Sequence, residues 1–135
     1  MSLALQKAIR ARLAASPEVQ ALVPAANIID SHKRPTSFPA VVLGEDLWTD
    51  ADLTFDRRHV TVYSTLHLWH EEPGLTGVKA IAEAIRKAFR NRLELDAGRL
   101  VDMHFESARF IRDPEGLSHG VVTLEALIEI EESAL

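Results

Sequence analysis

The stretch RRHVTVYSTLHLWH, residues 57–70, decides how this chain folds. Val60, Val62, Leu66 and Leu68 fall on one parity. His59, Thr61, Tyr63, Thr65, His67 and Trp69 fall on the other. A period of two is the signature of a strand with one apolar and one wetter face. Such a strand belongs in a sheet covered on one side only. Trp69, on the polar parity, then needs cover from a helix, a loop or another chain. Pro73-Gly74 ends the run.

Working outward, Thr76 is placed to cap a helix running to about Asn91, with Val78, Ile81, Ala82, Ile85, Ala88 and Phe89 as its apolar stripe. Upstream, FPAVVLGEDL (38–47) is a β-branched run that reads as a buried strand, and WTDADLTFD (48–56) as a long acidic hairpin loop. NIID (27–30) reads as a short strand and SHKRPTS (31–37) as a loop. Leu5, Ile9 and Leu13 mark a helix over 3–15, with Ser2 as N-cap and Ser16-Pro17 as its stop; PEVQALV (17–23) opens a second short helical piece. Downstream, 99–112 is a strand whose alternation slips at 106–108, which predicts a bulge. DPEG (113–116) is a turn, and 119–131 a final strand with Val122, Leu124, Ala126, Ile128 and Ile130 on one side. The sum predicts an α+β class: a mainly antiparallel sheet of about five strands with two helices on one face, as a single domain over 1–135.

Composition narrows the function. Hydrophobic residues make up 47% and charged residues 26%, which suits a globular chain. No cysteine is present, so thiol nucleophiles, thiolate metal sites and disulfides are excluded together, and an intracellular setting is expected. No apolar run approaches the roughly 18 residues of a membrane span, and the charged N-terminal segment reads as a helix rather than a signal peptide. The formal charge of −5 argues against broad nucleic-acid binding driven by phosphates, and no sequence-specific nucleic-acid partner is expected. Residues 45–56 hold five acids and no base, 79–92 hold five bases against Glu83, and 113–135 hold six acids and no Lys or Arg. Each run could be a solvated face; taken together they describe a molecule with opposite poles.

The histidines do not assemble a chemical site. As strand residues, His67 and His70 point to opposite faces with Cα atoms roughly 10 Å apart, too far to share a metal. His104 and His119 could face each other across the DPEG hairpin, each near a glutamate. No serine lies in a G-x-S-x-G context, and GLTGVK (74–79) lacks the spacing of a phosphate loop. Glu71-Glu72 and Glu131-Glu132 are adjacent and do not converge on a substrate. No catalytic residue, cofactor site or metal site is expected, and the chain is read as a non-enzyme.

FPAVVLGED (38–46), VYSTLHLWH (62–70), GVKAIAEAIRKAF (77–89) and RDPEGLSHGVVTLEALIE (112–129) occur in that order behind the LALQKAIRARL helix. Together they make the chain resemble the tail-completion, or tail-terminator, proteins of long-tailed bacteriophages, prophages and gene transfer agents. The resemblance implies a small α+β fold and a homo-oligomeric ring, commonly a hexamer, at the head-proximal end of the tail tube in the virion. It implies assembly in the bacterial cytoplasm, with the tail tube protein and the head-tail connector protein as partners. It transfers no catalytic residue. On this reading Trp48, Asp50, Asp52, Leu53 and Phe55 of the acidic stretch, Trp69, and Arg86 and Arg90 of the basic helix are the candidate subunit or partner contacts. Two other readings stay open: a head-side connector subunit, and a ligand pocket or enzyme built on Thr65, His67 and Trp69.

Overall fold

The computed structural model describes residues 1–30, 34–72 and 74–131. Its elements are α1 (Ser2–Ala15), α2 (Pro17–Gln20), a 3-10 turn (Ala25–Asn27), β1 (Ile28–Asp30), β2 (Ala40–Asp50), β3 (His59–His70), α3 (Thr76–Ala88), β4 (Arg99–Arg112) and β5 (Ser118–Glu129). The strands form one sheet in the order β1-β2-β3-β5-β4. The class is α+β. All pairs are antiparallel except β1 with β2, which is parallel, so the sheet is mixed.

The alternation of 57–70 is realised as read. Val60, Val62, Leu66 and Leu68 are buried, with Ser64 among them, and the side chains of the other parity are half-buried except Trp69, which is more deeply covered. β5 runs beside β3 in continuous register and contributes Val122, Leu124, Ala126 and Ile128 to the same face. Leu5, Ile9 and Leu13 of α1 and Val78, Ile81 and Ile85 of α3 close over that face. Fully burying a residue of this size contributes about 1.5–3 kcal/mol, so this one-sided layer is the main source of stability.

Several boundaries differ from the sequence reading for local reasons. Ser2 is inside α1, and its hydroxyl donates to Asp46 of β2 at 3.0 Å instead of capping. Thr76 is likewise the first helical residue, after Leu75. The cap read as a stop, Ser16, starts α2 by accepting from the Val19 amide at 3.4 Å. β2 continues through Trp48, Thr49 and Asp50, which pair with Val62, Thr61 and Val60, so only the turn beyond them is loop. α3 ends at Ala88, three residues early. The Arg12 guanidinium of α1 reaches that end and donates to the carbonyls of Ala88 (2.7 Å), Asn91 (3.0 Å) and Arg92 (2.9 Å). Arg92 in turn donates to the Leu100 carbonyl on β4.

β4 forms one edge of the sheet and pairs only with β5. It carries two register shifts, at Leu100/Asp102 and at Phe105/Ser107; the second is the bulge that 106–108 predicted. Exposed Arg99, Asp102, Glu106, Arg109 and Arg112 line it.

Arg12 satisfies carbonyls that a helix end otherwise leaves to water. Arg12→Ala is therefore expected to lower unfolding free energy by about 1–3 kcal/mol, and Arg12→Lys to recover only part of it. Urea denaturation followed by circular dichroism measures both; equal stability of all three chains would contradict the clamp.

Candidate functional site

Two regions gather the residues singled out by the sequence. The first is the wet end of β3. His67 and His70 do point to opposite faces. The His70 ring lies against α3, where a Cβ added to Gly77 would stand 2.7 Å from it, and its Nδ1 accepts from the Glu72 amide at 3.1 Å. His67 faces the other way. Its Nδ1 is 2.9 Å from Nε2 of His119 on β5, and its Nε2 is 3.3 Å from the Glu45 carboxylate. The His119 ring stacks on Trp69 with centroids 4.0 Å apart and planes within 6°. The Arg34 guanidinium covers Trp69 at 5.2 Å and is itself held by Asp113 (2.7 Å) and Glu115 (2.6 Å).

This file of side chains, Glu45–His67–His119–Trp69–Arg34, uses up the groups that a ligand site would need. Trp69 is only 9% exposed, so the cover its position demands comes from its own chain, and it is not an exposed anchor. The expected pairing of His104 with His119 is not formed. The turn at 113–116 sets His119 opposite Ile111, and the bulge at Phe105/Ser107 sets His104 opposite Glu125, 3.1 Å away. His59 meets Glu129 at 3.2 Å. Among the described residues no three His, Asp or Glu side chains converge as metal ligands, and no helix is long and apolar enough to cross a membrane.

The second region is surface. The end of β2, from Glu45 onward, is uncovered, and the hairpin closes in the turn at 51–58 with the Ala51 amide on the His59 carbonyl at 3.0 Å. Leu47, Trp48 and Leu53 are well exposed there, and Phe55 is wholly so at 102%. The tip is less acidic than the run 45–56 suggests. Arg57, at a positive φ of 55°, pairs with Asp52 at 2.9 Å, and Arg58 pairs with Asp56 at 2.5 Å. Hydrogen bonds from Arg58 and Thr54 hold Asp56 down to about 2. Asp50 remains exposed at the end of β2 and forms no ion pair among the described residues.

On the opposite side of the charge pattern, Lys79, Arg86, Lys87 and Arg90 are exposed on or just after α3, and none is paired with a carboxylate among the described residues. Beside them, α3 and β4 leave a groove of about 220 Å³ floored by Phe105, Ala108 and Phe110. Sequence reasoning missed this groove, because its walls are far apart in the chain and only the β4 bulge brings them into line.

The pH response of the first region follows from His119. Burial, then the neighbouring His67 charge, hold its pKa below the ordinary value of 6.5. A base with a depressed folded pKa contributes stability above its ordinary pKa, and that contribution is lost as pH falls through the lowered value. In a Trp48→Phe background, Trp69 emission is expected to change with a midpoint below about 6.5, and His119→Phe to remove the step. A fluorescence titration that places the midpoint at or above that value would contradict the stack.

Comparison with known proteins completes the picture. No curated protein sequence matches the chain. Among solved structures it is similar to a chain of the virion of a native gene transfer agent particle, at 24% identity and a TM-score of 0.79, with 95% of this chain and 96% of that one covered. It is also similar to the gp17 protein of bacteriophage SPP1, at 19% identity and a TM-score of 0.59, with 97% and 91% covered. These likenesses establish the fold. Residues 7–129 match the family described as tail completion protein gp17. The chain therefore belongs to the tail completion protein gp17 family and is a structural component of a phage-type tail.

Proposed function

We propose that the chain is the subunit of a ring, a hexamer by the measure of its resemblance, seated at the head-proximal end of the tail tube. There it stops tube growth and offers a surface to the head connector. The tail tube protein and the connector protein are its partners, and it performs no bond-making.

One observation carries this reading. A single subunit displays two unlike, unfilled surfaces: an apolar tip with Trp48, Leu53 and Phe55, and an unpaired cationic face with Arg86 and Arg90. Unlike patches that meet in neighbouring copies make heterologous contacts, and such contacts close into rings when the rotation permits. The apolar anchors supply affinity, and the charges supply orientation and encounter rate. The occupied ring stack at Trp69 and His119 supports a structural role over a ligand pocket at Thr65, His67 and Trp69, since the groups that would converge on a ligand already bond each other.

Electron microscopy of tails assembled with and without the protein tests the proposal. Tails of uniform length joined to heads are expected in its presence, and overlong or unjoined tails in its absence. Uniform, head-joined tails made without it would overturn the reading. Association with the tube end is further expected to slow by about tenfold or more between low salt and 0.5 M salt, because the steering charges are exposed. A stopped-flow association rate indifferent to salt would remove the charges from the contact.

A further inference from the structure

We propose that the α3–β4 groove of one copy receives the β2–β3 hairpin tip of the next, with Phe55 seated over Phe105 and Phe110. This rests on the ring reading and adds the location of the contact.

The shapes and charges match. The groove holds about 220 Å³ over an apolar floor, and Lys79, Glu83 and Arg86 line it beside that floor. Lys79 Nζ stands 5.8 Å from the Phe110 ring centroid, so an incoming aromatic ring would meet a face already edged by a cation. Phe55 is fully exposed, whereas a buried aromatic ring typically covers roughly 150–250 Å². From Glu45 to Arg58 the hairpin sets five acids against two arginines, a net of −3. α3 sets Lys79, Arg86 and Lys87 against Glu83, a net of +2, with Arg90 just beyond its end. Asp50 and the α3 cations are among the charges that form no ion pair with another described residue, and they are of opposite sign.

The occupant has to be a second copy rather than the same chain. Through the register, Phe105 aligns with Leu124 and Ser64, and Phe110 with Gly120 and Leu68. The tip springs from His59, five to nine residues away along the strand, or about 15–30 Å. It is also separated from β4 in the sheet by β5. A subunit cannot fill its own groove, but a neighbour displaced along the strand direction can. That is a head-to-tail contact, the kind a ring requires.

The chain has no cysteine, so engineered pairs report without background. Asp56→Cys at the tip, next to Phe55, and Glu83→Cys at the rim of the groove keep Phe55 and the other apolar tip residues, and both sites are exposed. Tails are capped with the double variant, treated with a short bis-maleimide, and run on denaturing gels. A ladder of covalent multimers from the double variant, absent from either single variant, is expected. Capped tails with no ladder would overturn the seat and leave the ring reading intact. Cross-links to the tube or connector protein instead would also overturn it, assigning the groove to that partner. Tails left uncapped by the unaltered chain would bring down both. As a second measure, Phe55→Ala is expected to leave thermal stability unchanged and weaken capping about tenfold or more, while Leu3→Ala, an exposed apolar change elsewhere, leaves capping intact. Capping by Phe55→Ala at the unaltered level would overturn the seat.

Discussion

Twelve consecutive pairs join β3 to β5 without a slip, from His59 opposite Glu129 to His70 opposite Ser118. That ladder is the constraint on which the rest of the molecule depends. A shift of one residue would turn Val60, Val62, Leu66 and Leu68 into solvent and bring His67 and Trp69 under the helices. Because the register is fixed, one face is a continuous apolar floor for α1 and α3, and the other holds half-buried polar rings. The slips that do occur fall on the flanking strands, between Leu43 and Asp46 on β2 and twice on β4. They bend the margins of the sheet while its centre stays regular, so the margins are where the surface is shaped for contact.

The centre and the margins were not equally legible. The period-two pattern of β3 and β5 and the 3.6-residue stripe of α3 are written in neighbouring residues, and the structure follows them. The bulge near Ser107 also left a local trace, as a break in alternation. What could not be read was long-range. Nothing near Arg12 announces that it will catch carbonyls 76 to 80 residues away. β1 is three residues long, too short for its parallel pairing with β2 to leave a pattern. His119 was paired with His104 across a hairpin, but the turn at 113–116 sets it opposite Ile111, and the unbroken β3–β5 register brings it beside Trp69 and His67. Trp48 looked like loop because its neighbours are polar. A strand that has passed beyond its covering helices no longer needs an apolar face, so the alternation that would reveal it is lost.

The candidate site shows the same division. The residues most suggestive of chemistry, LHLWH at 66–70, are consumed in holding the end of the sheet. Glu45, His67, His119, Trp69 and Arg34 lean on one another and fix the approach to the Asp113–Gly116 turn. Burial lowers the pKa of His119, and a neutral ring is what stacks on an indole with least cost in hydration. Exposed apolar side chains and charges unpaired among the described residues gather instead at the hairpin tip and on α3. A family whose members complete tails has use for a rigid body with unfilled surfaces at separate places, and that is how this chain distributes its side chains.

The fourteen-residue edge strand β4 bears on what kind of crowd these molecules can form. A long, flat edge offers its amides and carbonyls to any extended segment and invites growth without limit, as in amyloid. Here two bulges interrupt the row and five charged side chains stand along it, so main-chain templating is discouraged. The union between copies proposed above would rest instead on knobs and hollows of particular shape, which saturate once every hollow is filled. A member of a tail-completion family with such an edge is in this way kept from open-ended strand pairing.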